Sequence, residues 1–195
     1  MLLPDQAGTY PHLLVAAGKQ GSIYLVDRDD MGKYNSSADT CLQTLTKVLG
    51  DQSEDDGMYS TPAYWQNAAG QEYLYFQGEP DYIKAFQFEN GLLSVSPTSQ
   101  SSMRYLFPGS VPVISANGVT NGILWSLQTD AYGTAGPAIL RAFDANNLAT
   151  EFYDSTQAGT RDVAGAAIKF SVPTVANGRV YVGGHTQLTV YGLLP

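Results

Sequence analysis

The sequence predicts an all-β protein assembled from repeated small antiparallel sheets. Three observations predict it. The composition favours pleated strands: aromatics make up 11% with 13 tyrosines, and 20 glycines with 10 prolines turn the chain often. A Ser-x-Pro opening recurs at Ser60-Thr61-Pro62, Ser110-Val111-Pro112 and Ser171-Val172-Pro173, with Thr9-Tyr10-Pro11 as a degenerate fourth copy. A second column repeats independently, since residues 23–27, 83–87, 140–144 and 188–192 align residue for residue. Each copy has aliphatic or alanine side chains at its first and third positions, the period of a strand with one buried face.

In the first unit, residues 13–17 (Leu-Leu-Val-Ala-Ala) are apolar on both faces, as an interior strand should be. Gly21-Ser22 leads into the strand at 23–27, and Asp29-Asp30-Met31-Gly32 supplies turn formers. Residues 41–49 fit two elements. Leu42, Leu45 and Leu49 have helical spacing, while Leu42, Thr44, Thr46 and Val48 alternate; the threonines and the neighbouring strands favour a strand. In the second unit Pro62 suits the first residue of a strand, where its missing N–H costs no ladder bond. Strands at 73–76 and 83–87 follow, then the turn formers Glu89-Asn90-Gly91.

The third unit opens at Pro112. Its strands fall at 123–126 and 140–144, with Asn146-Asn147 turning into an outer strand at 148–153. The fourth has Pro173, strands at 180–182 and 188–192, and no outer strand. Asn117-Gly118 and Asn177-Gly178 each offer the two residues tolerant of φ > 0 that a type I′ hairpin turn requires. Repeats of ~40–50 residues, each a sheet of about four strands, predict a β-propeller. The units run about 11–61, 62–111, 112–172 and 173–195 of a single domain. The expectation is three full blades plus a partial closing blade. These form a contiguous piece of a larger ring, or a closed four-unit ring in which the N-terminus completes the last blade.

The formal net charge of −8 rests on only 10 basic residues, scattered along the chain. They cannot neutralise a run of phosphates, which excludes nucleic acid, and an anionic membrane surface would repel the chain. No apolar run approaches the ~20 residues of a membrane span. The first residues, Met-Leu-Leu-Pro-Asp-Gln, lack the basic and apolar regions of a signal peptide, so the protein is not exported or the chain begins part-way into a longer one. Cys41 is the single cysteine, which excludes an internal disulfide and a Cys-based zinc site.

Candidates for chemistry each carry a structural reading. Residues 51–57 hold Asp51, Glu54, Asp55 and Asp56; calcium is conceivable, but the spacing fails the EF-hand loop and reads as a solvated loop. Asp27, Asp29 and Asp30 read as turn carboxylates. His12 and His185 stand outside any metal or triad motif, and His185 follows Gly183-Gly184 in an expected hairpin turn. Cys41, with no His or Lys beside it, reads as an inert thiol. Arg161-Asp162 reads as a charged pair pinning a loop, with Lys169 structural beside it. Trp65 and Trp125 read as core or interface, although a stack of aromatics could bind sugars or a flat cofactor. Residues 72–78, Glu-Tyr-Leu-Tyr-Phe-Gln-Gly, fit the recognition pattern of a tag-removal protease but alternate as a native strand. Asn35-Ser36-Ser37 is a glycosylation sequon in a turn.

The succession Ser-[Thr/Val]-Pro, Asn-Gly, Val-Tyr-Val and Leu-x-Ala/Val-Phe/Tyr-Asp resembles the repeat of the pyrroloquinoline-quinone-like, or quinoprotein alcohol dehydrogenase-like, β-propeller family. The likeness covers most of the chain from about residue 11, closest at 59–65, 138–148 and 161–194, which looks like a closing C-terminal blade. It implies a secreted or periplasmic setting and a larger seven- or eight-bladed ring, with further blades N-terminal to this chain. The family's dehydrogenases use a vicinal cysteine pair, a calcium ion and an aspartate base; no residue here matches those motifs, so none is assigned as catalytic, cofactor-binding or metal-binding. The resulting expectation is a non-catalytic module acting as a binding or interaction scaffold for a protein or carbohydrate ligand, without a cofactor. The alternative is the C-terminal part of a quinone-dependent dehydrogenase, with pyrroloquinoline quinone and calcium.

Overall fold

The computed structural model describes residues 1–51 and 57–193, in which every regular element but one short 3-10 turn is a strand. The first sheet comprises β1 (Leu13–Ala17), β2 (Ile23–Asp27) and β3 (Gln43–Leu45) in that order. The second comprises β4 (Ala63–Gln66), β5 (Glu72–Gln77), β6 (Asp81–Glu89), β7 (Leu92–Leu93) and β8 (Ser99–Tyr105), with β7 and β8 both pairing with β6. The third is β9 (Val113–Asn117), β10 (Thr120–Gln128), β11 (Ile139–Asp144) and β12 (Asn147–Asp154), and a short 3-10 turn at Asp130–Gly133 links β10 to β11. The fourth is β13 (Thr174–Ala176), β14 (Arg179–Gly183) and β15 (Leu188–Tyr191). Every ladder is antiparallel.

The alternation read from the sequence is the alternation that buries side chains. Ile23 and Leu25 of β2, Ile83 and Ala85 of β6, and Leu140 and Ala142 of β11 are all buried. They feed three apolar clusters. Leu13, Leu25, Leu74 and Phe86 lie in one shared by the first two sheets; Tyr75, Ile83, Leu124 and Phe143 lie in one shared by the second and third. Leu127, Leu140, Val180 and Val182 lie in one shared by the third and fourth. Each large side chain so buried contributes roughly 1.5–3 kcal/mol, an upper figure because the unfolded chain already hides some surface. Polar links add register: Gln43 of β3 donates to Leu93 O and accepts from Leu93 N, both at 2.8 Å, stitching the first sheet to the second.

The all-β expectation holds, but the β-propeller does not. The four sheets are separate, with three to five strands each, none is closed or curled, and no propeller-like arrangement is indicated. The repeated columns specify a strand–turn–strand unit and the partner strands within it. They carry nothing about how successive units rotate about a common axis. Nor does the N-terminus complete the last sheet, as a closed four-unit ring would require. Met1–Leu3 instead lies along β1: Leu3 N donates to Leu13 O at 3.0 Å and Val15 N to Met1 O at 2.9 Å.

Two local expectations also change. At Asn177-Gly178 both residues have positive φ, 50° and 70°, between β13 and β14, as a type I′ turn needs. At Asn117-Gly118 the strand runs through Asn117, the turn moves on to Gly118-Val119, and the register slips between Thr120 and Ile123. The strand expected over 41–49 shrinks to Gln43–Leu45. The chain then turns at Lys47, φ 52°, and its N–H bonds to Ser22 Oγ at 3.0 Å.

Candidate functional site

A cleft of about 500 Å³ lies between the third and fourth sheets. Trp125 of β10, Tyr153 of β12 and Val180 of β14 form part of its wall, with Arg161 and Asp162 from the connection between β12 and β13. Gly178 and the consecutive run 189–193, from β15 onward, complete it. Trp125 is held by its register opposite Val113 and Ala142 and by its indole N–H, which donates to Ser115 Oγ at 2.8 Å.

Asp162 organises the polar side. Arg161 donates to both its carboxylate oxygens, Nε to Oδ1 at 2.6 Å and Nη2 to Oδ2 at 2.9 Å. Tyr153 OH donates to Oδ2 at 2.7 Å, and Tyr191 OH donates to the Asp162 backbone carbonyl at 2.9 Å. One residue thereby ties β12, β15 and the loop between their sheets. The Arg161 guanidinium, with the Tyr153 hydroxyl, holds the Asp162 carboxyl down at about 2. Burial, reinforced by the bond to that carboxylate, pushes the Tyr153 phenol well above its ordinary value, and burial likewise raises Tyr191. At neutral pH the site is therefore a fixed carboxylate–guanidinium pair flanked by two neutral phenols.

The other sequence candidates disperse. Asp51 lies 3.9 Å from Arg104; Glu54, Asp55 and Asp56 fall outside the described residues. Asp27 Oδ1 accepts from Asp29 N at 3.0 Å and Asp30 Oδ1 from Gly32 N at 3.2 Å, both Asx-turn bonds. Asp29 also faces His12, with Oδ2 2.7 Å from Nδ1, on the exposed surface. His185 is exposed, and its backbone N–H bonds to Ala166 O. Cys41 is half-buried. Trp65 packs in the cluster between the second and third sheets, its indole donating to Gly118 O at 3.0 Å. Among the described residues no three His, Cys, Asp or Glu side chains converge to hold a metal ion.

A second aromatic group pins the connections between sheets. The Phe107 ring meets Tyr59, Tyr132 and Phe170 edge-on at 5.6, 6.0 and 6.2 Å, and Lys169 Nζ lies 4.4 Å from the Tyr132 ring centre and 5.0 Å from that of Phe107. Sequence reasoning paired Arg161 with Asp162 but missed Tyr153 and Tyr191 as their partners. The available signal was weak: Tyr191 is the aromatic fourth residue of its repeat column, where Phe86 and Phe143 of the sister columns are fully buried and carry no hydroxyl.

The architecture and the cleft define an all-β protein of four separate antiparallel sheets with a preformed polar–aromatic cleft. Compared with protein-family models and with curated protein sequences, the chain matches none. No helix among the described residues is long and apolar enough to cross a membrane.

Proposed function

We propose that the protein is a non-catalytic binding module and that its ligand occupies the cleft between the third and fourth sheets. The observation that carries this reading is the Tyr153–Asp162–Arg161 network. It fixes polar groups in a concave, aromatic-lined site, the usual construction of a preformed binding pocket. The same network supports the absence of acid–base chemistry there. A general acid or base works best with a pKa near the operating pH, whereas Asp162 is held at about 2 and Tyr153 is pushed above its ordinary value. The lone Cys41, set against the vicinal pair a quinone-dependent enzyme of the resembled family would need, supports the same side.

The test is to offer the protein an immobilised glycan panel and a displayed library of linear random peptides, each alongside an Arg161→Ala variant. Ligands that bind the wild type and lose at least about tenfold in affinity with Arg161→Ala support the cleft. Ligands indifferent to that change would place binding elsewhere, and recovery of none from either source would overturn the reading.

A further inference from the structure

A smaller concavity, of about 250 Å³, lies where connections of the second and third sheets meet. Asn67 lines it from the connection between β4 and β5, Val119 from that between β9 and β10, and Asn146 from that between β11 and β12. Thr120 and Asn121, the first residues of β10, and the buried Trp65 of β4 line it as well. These connections are locked to one another. Asn67 uses its whole amide: Oδ1 accepts from Ala69 N and Gln71 N, and Nδ2 donates to Gln71 Oε1 and Asn146 Oδ1, each at 3.0 Å. Asn146 is anchored in turn, its Nδ2 donating to Asp144 Oδ1 at 3.1 Å. Trp65 ties in the third connection through its indole bond to Gly118 O. Such pre-organisation spares a ligand the cost of ordering its site.

Asn121 is the member that the fold does not use. It sits in the register slip between Thr120 and Ile123, with φ 54°. It is exposed, and among the described residues its side-chain amide makes no hydrogen bond. Its backbone is nonetheless fixed, because the next residue, Gly122, lies against Trp65 too closely for any side chain. An irregularity of this kind commonly re-aims a side chain beside a functional site. The chemistry of the lining then limits the ligand. None of the lining side chains is charged, in a chain of net charge −8. Asn121 offers two N–H groups and a carbonyl, and Asn146 keeps one N–H and one lone pair. Thr120 Oγ1 donates to Asn117 O at 3.0 Å and keeps its lone pairs.

We propose that this concavity is a second binding site, independent of the cleft, that takes one uncharged sugar unit, with Asn121 as its selecting residue. Donors and acceptors stand side by side here, which matches hydroxyl groups, since each hydroxyl both donates and accepts. A carboxylate would use only the donors and an ammonium only the acceptors, and neither would meet a counter-charge. Ala68, Ala69 and Val119 add apolar surface for the C–H faces of the ring. The volume falls just below the ~300–1,000 Å³ of pockets for drug-sized ligands, which suits a single ring.

The experiment titrates glucose, galactose, mannose, N-acetylglucosamine and glucuronate into the intact protein and follows side-chain amide and indole signals by NMR. At least one neutral sugar should shift Asn121, Asn146 and Trp65 together and leave Trp125 of the cleft unmoved. Asn121→Gly should weaken that sugar at least about tenfold, since glycine accepts the same positive φ and only the amide is lost. Asn121→Asp keeps the shape of the side chain and a residue tolerant of that φ; it loses both N–H donors and should weaken binding likewise. Arg161→Ala should bind the sugar as the wild type does, which keeps this site distinct from the cleft. Undiminished binding in either Asn121 variant overturns the proposal, as does tighter binding of glucuronate than of glucose. Shifts confined to Trp125, or lost in Arg161→Ala, would give the sugar to the cleft and overturn it too. Absence of shifts with every neutral sugar overturns the second site and leaves the cleft reading untouched.

Discussion

Asp162 shows how one residue can determine the shape of a site. Its carboxylate collects Arg161 and the Tyr153 hydroxyl, and its backbone carbonyl collects Tyr191. The carboxyl is held at about 2 in the folded protein, against roughly 4 for an unfolded aspartate. A depressed folded-state value stabilises fully above the unfolded value and loses that contribution as pH falls through the folded one. Urea midpoints of the wild type should therefore fall between about pH 4 and pH 2 relative to an Asp162→Asn variant, in which this site carries no titrating charge. A wild type that tracks the variant across that window would show that the carboxylate network contributes nothing to the fold.

At the scale of elements, the sequence is most informative where side-chain alternation alone decides. β5, residues 72–77, was legible as a strand, and β4 and β6 flank it with Tyr73 through Gln77 buried. The tag-removal protease should therefore leave the folded protein intact at residues 72–78 and cut there only under denaturing conditions. Cleavage at an equal rate in buffer and in urea would contradict a buried central strand. Where tertiary contacts override local chemistry, the sequence misleads. The Asn117-Gly118 turn slips because the chain is drawn onto the second sheet. A Cβ on Gly122 would lie 2.6 Å from the Trp65 ring, and Gly118 O accepts that indole's N–H. The strand at 43–45 stops early because Leu49, fully buried in the first cluster, requires the bend at Lys47. The cleft was legible only in its Arg161-Asp162 pair, since Tyr153 and Tyr191 reach Asp162 from strands of two different sheets, 9 and 29 residues away along the chain.

For the molecule as a whole, the three apolar clusters formed among the described residues each join neighbouring sheets, and none of these contains residues of both the first and the fourth. Stability in such an array is approximately a sum of unit and nearest-neighbour terms, so local opening near one end need not propagate. The third cluster is also built from small side chains, with Ala138, Ala164 and Ala167 beside Leu127, Leu140, Val180 and Val182. Leu140 is fully buried there, and its truncation to alanine should cost about 2–5 kcal/mol. That loss should fall on the fourth sheet first. Native-state amide exchange at Val180 and Val182 should accelerate in Leu140→Ala, while Leu74 and Phe76 of β5, two sheets away, keep their wild-type rates. Equal acceleration in all four sheets would mean that the clusters fold as one cooperative unit, and the order of the fourth sheet would then depend on the whole chain rather than on the third sheet beside it.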